Sequence, residues 1–214
     1  MKVHSIKIRF FIYSVLVLAP VELIGGFLIS RDGQHVMSLL GVMRGIEVVV
    51  LLLIFRFNVD GLTSIGLGQG DLLSGLKRGI VWSIGFGVLV CVSIGILVFL
   101  GYNPLDMLRT GPPDGPLEII VYFCVAGLIA PIAEEVIFRG ILYGFLRQWS
   151  LLAAFVISNS VFLALHPEAG FVQCTGALLF TLSYELEGKL LVPITIHILG
   201  NSALICLSNM ATIL

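Results

Sequence analysis

Apolar runs of about twenty residues recur along this chain, each closed by a short polar turn, and that is the length one helix needs to cross a bilayer. So much apolar surface has no place in water. The solvent is lipid, where each helix satisfies its own backbone groups. Composition agrees over the whole length. Of 214 residues, 58% are hydrophobic and 12% charged, against roughly 45–50% and about 25% in soluble domains. A soluble globular enzyme, a disordered chain and a disulfide-stapled secreted module are excluded. A net charge of −1 offers no basic face for nucleic acid. Cys91, Cys124, Cys174 and Cys206 stand singly, without a C-x-x-C pair, and read as small buried apolar residues.

The first run, residues 10–29, follows Lys2, Lys7 and Arg9. It is too long for a signal peptide and no small-x-small cleavage site follows it. A second span is expected over 36–55 and a third over 79–100. Leu72, Leu73 and Leu76 mark a short interfacial amphipathic helix between them. A Pro- and Gly-rich loop covers 102–116. The apolar stretch 117–149 exceeds one ordinary span, with Pro131 as a kink or a new helical start. Segments 151–165, 171–186 and 190–207 complete an all-α, polytopic membrane bundle of about six to eight helices. Lys2, Lys7, Arg9, Arg56, Lys77, Arg78, Arg147 and Lys189 fall on one side, and Arg31 and Arg109 on the other. That bias predicts a cytoplasmic N-terminus.

Ionisable groups inside spans cost about 2.5–3.5 kcal/mol each on insertion scales, so each one marks a candidate function. The densest cluster is Ala-Glu-Glu-Val-Ile-Phe-Arg-Gly, residues 133–140. Glu135 and Arg139 stand four apart and pair on one helix face. Glu134 points about 100° away and is left as the free carboxylate. Phe162 and His166 are again four apart. Glu134 lies fifteen residues before Trp149, at the intervening turn, and His166 sixteen after Ser150. An antiparallel hairpin therefore brings Glu134 and His166 to matching depth, roughly 22–24 Å from the turn. His197 and Asn201 share a face of the last span. A lone intramembrane histidine is often helix–helix glue. Two histidines, a Glu pair, an Arg and an Asn on three consecutive helices are not. Glu22 with Arg44 and Glu47 reads instead as a structural ion pair or a lipid-interface feature. Glu185, Glu187 and Lys189 read as a solvated turn, and His4 and His35 as polar flanks.

The order Glu134-Glu135-x-x-x-Arg139, Phe162-x-x-x-His166, His197-x-x-x-Asn201 resembles the CPBP family of intramembrane proteases, the CAAX-processing and bacteriocin-processing (Abi-type) peptidases. The likeness covers roughly the last 85 residues. It implies a membrane endopeptidase with its active site inside the bundle. Residues 1–116 would be non-diagnostic membrane helices and 117–214 the catalytic core, the two forming one membrane domain. Family members have been viewed both as metalloproteases and as glutamate-dependent. This chain lacks H-E-x-x-H spacing and a third core histidine, which favours metal-free hydrolysis. In that mechanism Glu134 is general base on a water also held by His166. His197 and Asn201 donate to the oxyanion. Glu135 and Arg139 support the site, with Tyr143 as a further support of Arg139. No cofactor is expected; zinc on Glu134, His166 and His197 is the alternative.

The expected partners are the lipid bilayer and a peptide or protein substrate: a C-terminal tag, a leader peptide or a bacteriocin-like precursor. Short loops suggest a prokaryotic plasma membrane, with the chain multi-pass in it. The competing readings are a transporter-like proton relay, for which no inverted repeat is found, and a non-proteolytic immunity or binding factor.

Overall fold

In the computed structural model, residues 6–31, 33, 35–58, 60–103, 115–166 and 170–213 are described. His4, Lys2, Arg109 and most of the expected loop, residues 104–114, lie outside them. Among the described residues there are seven helices and no strand. In order they are α1 Ile8–Arg31, α2 Val36–Arg56, α3 Leu72–Phe99, α4 Pro116–Arg147, α5 Leu151–Ala164, α6 Phe171–Glu187 and α7 Leu191–Ile213. Five (α1 to α4 and α7) are long and apolar enough to cross a bilayer. At about 1.5 Å per residue, the 14 residues of α5 fall short of the hydrocarbon core.

The interfacial helix expected near Leu72 is not separate. Two short 3₁₀ turns, Gly61–Ile65 and Gln69–Asp71, lead directly into α3, whose first turns contain Leu72, Leu73 and Leu76. Gly66 closes the first turn at φ +80°, where a side chain is strained. Its carbonyl accepts from the Leu190 N–H at 2.9 Å, pinning this connector to the turn between α6 and α7.

Helices in lipid gain little from apolar contact alone, so small residues set their approach. A Cβ on Gly79 would sit 2.5 Å from Thr195 Cβ, and one on Gly75 would sit 3.1 Å from Leu191 Cβ. This Gly-x-x-x-Gly pair is the buried stripe of α3, lying against α7. Much of the rest of α3 points outward, including Ile84, Val88, Val92 and Phe99. Cys91, Cys124 and Cys206 also face outward and only Cys174 is partly buried. The expectation of buried thiols fails because outward apolar positions are no less favourable in lipid. Arg44 bridges α1 and α2, with Nη1 2.5 Å from Glu22 Oε1 and 2.6 Å from the buried Glu47. The structural ion pair is therefore a three-membered one.

Helix α4 carries the glutamates and is not uniform. Residues Val125–Ile129 and Val136–Tyr143 are π-helical, on either side of an α-helical segment Ala130–Glu135 that has Pro131 in its first turn. Pro131 thus marks a new α-helical start within one continuous helix. Such π segments occur often at functional sites.

Candidate active site

The site forms where α4, α5, α6 and α7 meet. Glu134 and Glu135 are consecutive on α4 and so diverge by about 100°. Glu135 is fully buried and has two partners. Its Oε1 accepts from Arg139 Nη1 at 3.1 Å and from His197 Nδ1 at 2.8 Å. The buried guanidinium of Arg139 also donates through Nη2 to the Ala177 carbonyl on α6 at 3.1 Å. It lies 4.7 Å from the Phe162 ring centre and 5.3 Å from that of Phe180. A carboxylate, a carbonyl and two ring faces together compensate a charge that lipid would reject.

His166 lies just past the end of α5. Its Nδ1 donates to the Phe162 carbonyl at 2.7 Å, one of the carbonyls a helix C-terminus leaves without an internal donor. That bond explains the Phe-x-x-x-His spacing, and the two rings lie 4.3 Å apart. His197 is buried on α7 and stacks on Phe180 at 4.4 Å with a 21° interplanar angle. Both Nδ1 atoms face oxygen acceptors and so carry the hydrogen. Both Nε2 atoms lie 3.8 Å from Glu134 Oε2; with the hydrogen on Nδ1, an Nε2 is a lone pair in a neutral ring and a donor in an imidazolium. Glu134 is 16% and His166 32% exposed, so the free carboxylate is open to small molecules while its neighbour Glu135 is sealed.

A separation of 3.8 Å is too long for a direct hydrogen bond and leaves room for a bridging group. Two imidazole nitrogens facing one carboxylate oxygen can share a water or a proton with it. In a tetrahedral zinc shell with bonds of about 2.0–2.1 Å, neighbouring donors stand about 3.3–3.4 Å apart. The contacts here are wider. Among the described residues no group of three or more His, Cys, Asp and Glu is arranged to hold a metal.

Asn201 lies one turn beyond His197, and its Nδ2 donates to the Ala126 carbonyl of α4 at 2.9 Å. No hydrogen bond joins it to Glu134 or the histidines, although it shares α7 with His197. Two expectations need correction. Tyr143 does not support Arg139: its hydroxyl donates to Glu185 Oε2 at 2.6 Å. Nor do Glu185, Glu187 and Lys189 form a solvated turn. Glu185 takes two bonds from Arg147, Glu187 accepts from Trp82 at 3.1 Å, and Lys189 donates to Ser74 at 2.8 Å. Phe180 and the Ala177 carbonyl were not legible beforehand. An aromatic in an apolar run carries no mark, and a backbone carbonyl has no sequence signal at all.

The family model described as type II CAAX prenyl endopeptidase Rce1-like matches residues 116–203, which include every residue of this constellation. The Bacillus subtilis (strain 168) protein YdiL, named as a candidate membrane peptidase, is 27% identical over 186 residues, covering 83% of this chain and 75% of its own. No solved structure matches significantly.

Proposed function

We propose, from the match of residues 116–203 to the type II CAAX prenyl endopeptidase Rce1-like model and the likeness to a membrane peptidase, that this chain is a multi-pass membrane endopeptidase of the CPBP family whose attacking water is activated by Glu134 and His166. The observation that carries this reading is the convergence of the His166 and His197 Nε2 atoms on one oxygen of Glu134, each at 3.8 Å. The glutamate takes a proton from water while the His166 lone pair holds the other hydrogen. The hydroxide adds to the scissile carbonyl carbon, the negative charge moves to the carbonyl oxygen, and Glu134 returns its proton to the departing amine as the C–N bond breaks.

His197 and Asn201 are the oxyanion donors in this mechanism. With Nδ1–H committed to Glu135, His197 donates from Nε2 only as the imidazolium, between the carboxylates of Glu134 and Glu135. Glu135 therefore orients His197 as well as pairing with Arg139. Asn201 has a second amide hydrogen beyond the one given to Ala126.

The substrate class is a membrane-anchored peptide or a protein C-terminal tag, and the membrane a prokaryotic plasma membrane with the N-terminus cytoplasmic. Zinc held by Glu134, His166 and His197 is a second reading. It is favoured by one observation: both Nδ1 hydrogens are anchored and both Nε2 atoms turned inward, as in metal-ligating histidines. A zinc ion there would polarise the attacking water. The test of the leading reading is E134Q in a cell-based cleavage assay with a set of tagged membrane reporters: cleavage should vanish with protein level unchanged. Full cleavage by the variant would sink it.

A further inference from the structure

One carbonyl on the glutamate helix has lost both of its ordinary donors. In the π-helical turn the Ala130 N–H donates to the Val125 carbonyl, five residues back, and not to Ala126, four back. A π register would next supply residue 131 as the donor to Ala126, but residue 131 is a buried proline with no N–H. The Ala126 carbonyl is satisfied instead from across the bundle, by Asn201 Nδ2 at 2.9 Å. The turn and α7 touch beside that bond as well, since a Cβ on Gly127 would lie 3.5 Å from Ser202 Oγ and 3.6 Å from Ile205 Cδ1.

We infer that Pro131 is a positioning residue acting through Asn201: by withholding an N–H it keeps the Ala126 carbonyl open as the anchor that orients the Asn201 amide. An amide side chain has a donor end and an acceptor end. Turned over, Asn201 would present Oδ1 to a developing negative charge. A carbonyl oxygen as anchor excludes that orientation, because it repels Oδ1 and accepts only from Nδ2. With one Nδ2 hydrogen fixed, the other has a defined direction. The inference rests on the reading of Asn201 as an oxyanion donor. It also accounts for a proline four residues before Glu135, in a helix where its missing N–H would otherwise be a pure cost.

Pro131→Ala places an N–H within reach of the Ala126 carbonyl and competes with Asn201; Pro131→Ser does the same with a different side chain. The experiment compares wild type, P131A, P131S, N201A and P131A/N201A, as purified full chains in lipid, by thermal unfolding and by cleavage kinetics. The reporter is whichever member of a quenched, membrane-anchored peptide set wild type cleaves and E134Q does not. P131A and P131S should lower kcat about tenfold or more, with KM within about twofold, while unfolding stays at or above the wild-type temperature. N201A should lower the unfolding temperature by about 2–4 °C in the wild-type background and by nothing in P131A. The kcat of the double variant should match that of N201A.

Equal destabilisation by N201A in both backgrounds would overturn the tether itself. Intact coupling with wild-type kcat in P131A would overturn its use in positioning. The stability arm needs no substrate, so it decides the tether even where no reporter qualifies. Failure of the peptidase reading shows separately, as full cleavage by E134Q.

Discussion

At the scale of single residues, the two adjacent glutamates differ in partners and not in kind. Glu134 meets two histidine nitrogens across gaps of 3.8 Å, and Glu135 is locked by two hydrogen bonds. Glu134→Gln keeps the volume and removes the proton acceptor. Turnover should fall by about 10²–10⁴-fold, the usual contribution of a general base, at unchanged thermal stability. Comparable activity in purified enzyme would assign the base elsewhere. Glu135→Ala strands Arg139 and frees His197 in one step. Breaking such a buried pair costs about 3–5 kcal/mol, so folded yield and unfolding temperature should both drop, together with activity. An inactive Glu135→Ala protein that unfolds at the wild-type temperature would show that Glu135 has no structural share.

At the scale of elements, glycine spacing decides how near two helices come, and through that where His197 stands. Thr195, two residues before His197, lies against Gly79. Gly79→Ala forces a Cβ to within 2.5 Å of the Thr195 Cβ, which no rotamer change relieves. Overpacking of this kind costs about 1–3 kcal/mol and should appear as a lower unfolding temperature. Gly85→Ala on the same helix is the control. A Cβ there meets nothing within 4 Å, and alanine's better helix propensity should leave stability equal or higher. If the two variants behave alike, the α3–α7 contact does not set the spacing. The hairpin count also belongs at this scale: Ser150 caps α5 by accepting from the Ala153 N–H at 3.2 Å, fixing the turn from which Glu134 and His166 are measured.

For the whole molecule the open matter is what sits between Glu134 and the two histidines. Donor separations of 3.8 Å suit a bridging water and are wide for a tetrahedral metal shell. The expected outcome is that cleavage by purified protein survives exhaustive chelation and that elemental analysis finds no stoichiometric zinc. One tightly bound zinc per chain, with activity tracking its occupancy, would replace the glutamate mechanism by the metal one. Loss of His197 then separates the roles further. As an oxyanion donor its removal slows turnover about 100-fold or more; as a ligand its removal also releases metal.

The sequence by itself determined the solvent, the helical class and the pairing of Glu135 with Arg139. These follow from composition, run length and i,i+4 spacing, all of which are local. It also predicted the common depth of Glu134 and His166, because one turn and a constant rise per residue fix that distance. Only the tertiary structure decided the partners that come from other helices. Glu135 orients His197, Phe180 stacks on that ring, Tyr143 and Arg147 serve Glu185, and Asn201 reaches Ala126. In a chain that is apolar on every face, periodicity cannot say which side of a helix looks inward. Close glycine contacts and the few buried hydrogen bonds make that choice, and they exist only once the helices have met.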